Sequence, residues 1–245
     1  MKIIRPQEIL KQIEHRPHPL PNESWVLYSE WKDVLMLHWK VNASIIKHLL
    51  PDNLCIDTFE GGAWVSMSIA SVANFKNKLF SILKHGFGFD QILMQTYIVS
   101  KGKPGIFIFN QELEKSFSKN IYQRLLKLKP GETDFQKNCE GNIHKLFANN
   151  DHNGFQIGMQ YEFGEKIEPN PLESWLVNRF SCYYERENQL FEYDVHHQEY
   201  DFFDLQLNNF KTIFNFGGLT IDQKPDLIHY SKGIQKLFWP KKIIN

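Results

Sequence analysis

Cysteine is scarce in this 245-residue chain, and the three that occur, Cys55, Cys139 and Cys182, are odd in number and far apart. That argues against a disulfide framework and, with no Cys-x-x-Cys pair, against a structural zinc site. Reduced thiols and a cytoplasmic location are the expectation. An excess of charge is lacking too, since 28 Lys and Arg residues balance 28 Asp and Glu residues. No long-range field then favours nucleic acid, an anionic membrane or a polyanionic substrate, so neither a nucleic-acid nor a membrane partner is expected. No apolar run approaches the ~20 residues that span a bilayer. The opening Met1-Lys-Ile-Ile-Arg-Pro6 breaks its apolar residues with charge and proline before a signal-peptide core can form.

The glycine patterns of phosphate binding are also missing. Gly61-Gly62 stands without the rest of a phosphate loop, and no Gly-x-Gly-x-x-Gly follows a strand. Ser66, Ser68 and Ser71 lack the flanking glycines of a nucleophile elbow. No nucleotide, metal or other cofactor is expected.

What the chain does have is an ordinary globular composition, 42% hydrophobic and 23% charged, with 20 Phe residues. Such aromatic content suits half-buried strands. A single domain over 1–245 is expected, because no polar linker, repeat or low-complexity tract divides the chain. The spacing predicts a short helix from Pro6 to Glu14, an extended tether through Pro21, and strand from Trp25 to Trp39. Asn42 caps a helix over Ala43 to Leu50. Leu54 to Thr58 and Ala63 to Ala73 read as a hairpin about Phe59-Glu-Gly-Gly62, and Gln91 to Ser100 with Gly105 to Asn110 as another about Lys101-Gly-Lys-Pro104. The longest predicted helix starts at Asn110, runs through Glu112, Leu113, Phe117, Ile121, Leu125 and Leu128, and stops at Pro130-Gly131. Asn142 to Asn149 and Gly154 to Glu162 form a further hairpin. Asn170, Pro171 and Glu173 make a complete helix start. Ser181 to Arg186 and Gln189 to His197 flank a Glu187-Asn188 turn, and a closing pair lies around Thr212 to Phe216 and Lys236 to Trp239.

Few residues stand out for chemistry. His196-His197, with Asp194 and Glu199 nearby, superficially suggests a metal cluster, but adjacent side chains in a strand point to opposite faces. His38 and His229 sit in apolar surroundings that suit hydrogen-bonded structural histidines as well as catalysts. Arg179 either clamps a ligand carboxylate or bonds the last carbonyls of the preceding helix. The Glu187-Asn188 turn sets position 183 opposite 192 and 181 opposite 194, so Ser181, Tyr183, Glu192, Asp194 and His196 share one face. That face is either exposed or lines a wet internal site in which Tyr183 and His196 bind or transfer protons.

Several segments, in order along the chain, resemble the YqjF family, whose function is unknown and whose fold is that of acetoacetate decarboxylase. They are His15-Arg-Pro-His-Pro-Leu-Pro21, Leu37-His-Trp-Lys-Val41, Leu49 to Val65, Thr96-Tyr97 leading to Gly102-Lys-Pro-Gly-Ile-Phe107, Arg179-Phe-Ser-Cys-Tyr-Tyr184, Val195-His-His197, and Ile228-His-Tyr-Ser231 leading to Phe238-Trp-Pro240. The resemblance implies an α+β protein: a mainly antiparallel β barrel or cone with a few peripheral helices and an internal cavity. Acetoacetate decarboxylases use a Schiff-base lysine within Pro-Lys-Lys, shortly after a Glu-Leu pair. Here Asn110 to Lys119 keeps Glu112-Leu113 but lacks Pro-Lys-Lys, and Lys115 and Lys119 read as surface lysines of the expected helix. Pro240-Lys-Lys242 matches only in letters, at the wrong end of the chain. Two functions follow. One is a binding domain holding a small organic acid or apolar ligand, with His38, Arg179, Tyr183, His196 and His229 as candidates. The other is a lyase or decarboxylase acting on a small keto acid, with Glu112 and a histidine as acid and base. A lysine buried in the cavity favours the second. A homo-oligomer is compatible with either.

Overall fold

The computed structural model describes residues 3–78, 87–115 and 130–244. Among these are 14 strands: β1 (Leu27–Val41), β2 (Cys55–Ile56), β3 (Ala63–Asn77), β4 (Phe87–Ser100), β5 (Lys103–Glu114), β6 (Gly131–Glu140), β7 (Ile143–Asn150), β8 (Phe155–Ile167), β9 (Ser181–Arg186), β10 (Gln189–His197), β11 (Phe202–Phe216), β12 (Leu219–Ile221), β13 (Leu227–Phe238) and β14 (Lys242–Ile244). The helices among the described residues are short: α1 (Pro6–Ile9), α2 (Ala43–Leu49) and α3 (Pro171–Val177). All strands join one sheet. The path β5-β9-β10-β13-β1-β3-β4 returns to β5 through the β4–β5 pairing, so the sheet closes into a barrel-like ring. Pairing is antiparallel except where β5 runs parallel to β6 and to β9.

Turn chemistry explains much of the register. Glu187 and Asn188 both take positive φ, +52° and +59°, as do Lys101 and Gly102 at +50° and +78°. Two successive left-handed residues match the twist of a tight hairpin, and Tyr183 faces Glu192 and Ser181 faces Asp194 as their turn dictates. The Asn170 side chain accepts from Glu173 N while Glu173 reaches back to Asn170 N, the reciprocal cap expected at α3.

The central strands are buried on both faces and so read as near-continuous apolar runs. Val34 and Met36 of β1, Ala70 and Val72 of β3, and Phe89, Leu93 and Tyr97 of β4 face the ring interior. Their alternates Leu35, Leu37, Trp39, Val65, Met67, Ile69, Ile92 and Met94 pack against β7, β8, β11 and β12 in a second core.

Several expectations are corrected. Asn110 to Glu114 is strand, not helix: Asn110 pairs with Met94, Glu112 with Ile92 and Glu112 also with Gly131. Ladder bonds on both sides of β5 outweigh the three- and four-residue apolar spacing. The remainder of the expected helix, 116–129, lies outside the described residues. β2 pairs with β4 rather than β3, with Cys55 opposite Val99, so the Phe59–Gly62 turn closes only a single bridge. The α1 helix stops at Ile9. Thr212 to Phe216 pairs with β8 and β12, and Lys236 to Phe238 with β1 and β10, so the closing segments do not pair with each other. β6 carried no sequence expectation because polar residues occupy most of it. Among the described residues, no helix is long and apolar enough to cross a membrane.

Candidate functional site

Inside the ring the first core leaves a cavity of about 100 Å³, room for several waters or one small organic molecule. Bulges set what faces it. Asp33 of β1, at φ +49°, sits where the β1–β3 register shifts. An extra residue reverses the alternation beyond it, so Trp31 before the bulge and Met36 and His38 after it all line the cavity. A second shift around Phe109 lets Ile106, Ile108 and then Gln111 of β5 do the same.

Among the described residues, Lys236 of β13 is the only lysine lining this cavity. Its Nζ lies 3.4 Å from the centre of the Trp31 ring, and it makes no ion pair with a carboxylate among the described residues. Burial lowers the ammonium to about 7, with only the Cys182 thiol acting to raise it. The indole face stabilises the cation by up to ~2 kcal/mol, which softens the loss of hydration without removing it. Lys236 was overlooked in the sequence, where a signal existed: its strand neighbours at a period of two, Ile234 and Phe238, are both apolar.

Arg179, just after α3, is the cavity's other cation. Its Nε donates to Trp175 O at 2.9 Å and its Nη1 to Asp57 Oδ2 at 2.5 Å. The guanidinium stacks 4.1 Å from the Trp175 ring centre. Its Nη2 is buried without a partner. One nitrogen of Arg179 thus bonds the end of the helix, and another has no partner among the described residues. Gln91, Gln95 and Gln111 add neutral polar groups among apolar walls.

His38 lines the cavity and His229 lies behind it, Nε2 of the first 3.0 Å from Nδ1 of the second. Burial holds both below the ordinary imidazole value; His229 opposes a charge on His38, and Glu173 works to raise His229. His197 also lines the cavity and is pushed well below that value, first by burial and then by Lys236.

The other candidate residues lie elsewhere. Tyr183, Glu192, Asp194 and His196 occupy the opposite face of the β9–β10 hairpin, while Cys182, Tyr184, Tyr193, Val195 and His197 face the cavity; Ser181 alone of the expected face touches it. The expected face is buried, not exposed, and is held by ion pairs and hydrogen bonds. Lys103 Nζ sits 2.5 Å from Asp194 and 3.0 Å from Glu192, Arg16 and Lys242 approach Asp194, and Tyr183 donates to Glu192 at 3.1 Å. His196 Nε2 meets the Ile9 carbonyl at 3.0 Å, pinning α1. Glu112 is buried against Thr133, Asn150 and Asn153, which donate to it at 2.7, 2.7 and 2.8 Å; it does not line the cavity. Lys115 pairs with Asp134 at the surface, and Lys119 lies outside the described residues.

The barrel-like β ring around an aromatic cavity has the architecture of acetoacetate decarboxylase-like proteins, as solved structures show. The chain superposes on an enduracididine biosynthesis enzyme, MppR, complexed with pyruvate, with a TM-score of 0.64 at 9% identity over 94% of this chain and 93% of that one. It superposes on an acetoacetate decarboxylase with a TM-score of 0.61 at 12% identity over 98% of each chain, and on the Legionella pneumophila acetoacetate decarboxylase at 0.58 and 11% identity, covering 97% and 95%. The model of the DUF2071 family, described as an uncharacterized conserved protein, matches residues 28–235, and the chain belongs to that family. Its relative YqjF of Bacillus subtilis (strain 168), an uncharacterized protein, is 26% identical over 226 residues, 90% of this chain and 93% of YqjF.

Proposed function

We propose that the cavity binds a small organic acid bearing a carbonyl group, and that Lys236 attacks that carbonyl as a neutral amine. The carrying observation is a lysine in the wall of an apolar cavity, against an indole face and with no carboxylate partner among the described residues, a setting that lowers its ammonium toward about 7; a lysine that is neutral near physiological pH is a nucleophile. Nitrogen adds to the carbonyl carbon, water leaves, and the imine takes up one proton from solvent to become an iminium, the electron sink. Arg179 Nη2 is the donor for the carboxylate, and Trp31 covers the resulting cation. Pyruvate in the MppR structure supports an acid of this size for the fold. Binding without covalent chemistry is the second reading, favoured by the largely apolar lining.

Borohydride reduction in the presence of pyruvate, 2-oxobutanoate or acetoacetate, followed by peptide mass analysis, separates the two. The covalent reading expects a reduced adduct on Lys236, none in Lys236→Met, and less in Arg179→Met. A ligand-induced rise in thermal midpoint with no adduct in the wild type leaves binding alone.

A further inference from the structure

A row of buried polar groups leads from the cavity wall to the edge of α3. Tyr97 OH lies 2.5 Å from Ser66 Oγ, Ser66 Oγ lies 2.6 Å from His38 Nδ1, and His38 Nε2 lies 3.0 Å from His229 Nδ1. His229 Nε2 then faces Glu173 Oε1 at 3.3 Å, close but poorly aligned for a hydrogen bond. Ser66, His38 and His229 are 0%, 1% and 1% exposed, whereas the Glu173 side chain, 16% exposed, reaches the outside. Nothing in the imine chemistry above uses this row.

Glu173 gives the row a direction. Its Oε2 accepts from Asn170 N at 2.7 Å, which fixes the carboxylate, and Oε1 has only acceptor capacity to offer His229. An Nε2–H on His229 meets that oxygen favourably; a lone pair there meets it repulsively. His229 Nδ1 is then an acceptor, so His38 carries its proton on Nε2 and presents the lone pair of Nδ1 to the Ser66 and Tyr97 hydroxyls. Two neutral rings are thereby aligned as a base, and the first of them, His38, lines the cavity.

We propose that Glu173, His229 and His38 form a proton relay that removes and returns a proton on the carbon next to the carbonyl of the bound acid. This rests on the imine reading above. In an iminium on Lys236, the C–H proton passes to His38 Nδ1, directly or through the Ser66 hydroxyl, and the C–H electron pair forms the enamine double bond while the nitrogen takes up the π electrons and becomes neutral. His38 Nε2–H moves to His229 Nδ1, and His229 Nε2–H moves to Glu173. Both rings end neutral in the opposite tautomer, the carboxyl holds the proton, and no imidazolium is left buried. Reversal returns the proton to carbon. His229 and Glu173 act through His38 and are positioning residues.

The test is Glu173→Gln, which keeps a carbonyl oxygen for the α3 cap and turns an amide N–H toward His229. With 2-oxobutanoate in D2O, deuterium uptake at C3 is measured by proton NMR and divided by the borohydride-trapped adduct on Lys236. The relay expects this ratio to fall at least roughly tenfold in Glu173→Gln. Separately, ring-nitrogen NMR of 15N-histidine protein, assigned with His38→Gln and His229→Gln, should show Nε2–H on both rings in the wild type and Nδ1–H on both in Glu173→Gln. An unchanged ratio, or Nδ1–H rings in the wild type, overturns the relay. If the wild type forms no adduct, the imine reading fails, and the ring tautomers still decide whether the relay exists.

Discussion

Lys236 and Lys115 carry the same ammonium and meet opposite surroundings. Lys115 pairs with Asp134 where water reaches both, whereas Lys236 has an indole face and a thiol for neighbours. Reactivity follows from the surroundings and not the residue type. The same holds for the cysteines. Cys182 lines the cavity and burial pushes its thiol up to about 12, while Cys55 and Cys139 are exposed. Because the thiolate is the nucleophile, iodoacetamide at pH 8 should label Cys55 and Cys139 within minutes and spare Cys182 until the chain unfolds; peptide mapping reads this directly. His196 gives a third case. Its ring is fully buried and bonds the Ile9 carbonyl, which also accepts from Gln12 N, so His196→Ala should cost about 1–3 kcal/mol by emptying a packed site and removing one of that carbonyl's two donors. Urea unfolding checks the cost, and adduct formation at Lys236 should persist in the variant.

Elements decide which of two faces a residue joins. The β9–β10 register was legible from Glu187-Asn188 alone, because left-handed turn residues and a period of two leave one pairing. Which face met the cavity was not legible. A polar set, Tyr183, Glu192 and Asp194, looked like a wet site, but Lys103 and Arg16, distant in sequence, neutralise it from outside. In β1 the Asp33 bulge brings Trp31 and His38, an odd-even pair, to one cavity, and no local pattern marks an interruption at an aspartate. Glu112 lies in strand and off the cavity for one reason: β5 continues past Asn110, and the bulge at Phe109 brings Gln111 to the cavity and leaves Glu112 on the other face. Its carboxylate instead gathers Thr133, Asn150 and Asn153 where β5 meets β6. Glu112→Ala should therefore lower stability by about 3 kcal/mol, by leaving those donors unpaired. Adduct formation per folded molecule should be unaltered, and a selective loss of adduct would place Glu112 in the chemistry after all.

At the scale of the whole molecule, ring closure gathers groups whose protonation differs between folded and unfolded chains, and stability must then depend on pH. His38 and His197 are held neutral, well below 6.5. As pH falls through their ordinary value the unfolded chain binds protons that the folded chain refuses, so stability drops on acidification. Lys236 extends the same trend upward. Between about 7 in the fold and 10.5 in the unfolded chain, the unfolded state again binds the extra proton, so stability climbs with pH across that window. Above about 10 the sign reverses, because Tyr97 and Tyr193 are raised to about 12 from 10.0, and the unfolded chain loses protons that the folded chain keeps. The wild type should therefore be most stable on the alkaline side of neutrality, between about pH 8 and 10. Lys236→Met should gain stability relative to wild type at pH 6, and the gain should shrink steadily as pH approaches 10, because the methionine has no proton to refuse. Urea midpoints of both proteins at intervals from pH 5 to pH 11 test this. A constant difference between them across that range would mean that Lys236 keeps its ordinary basicity in the fold, and the amine would then be too fully protonated to serve as the nucleophile.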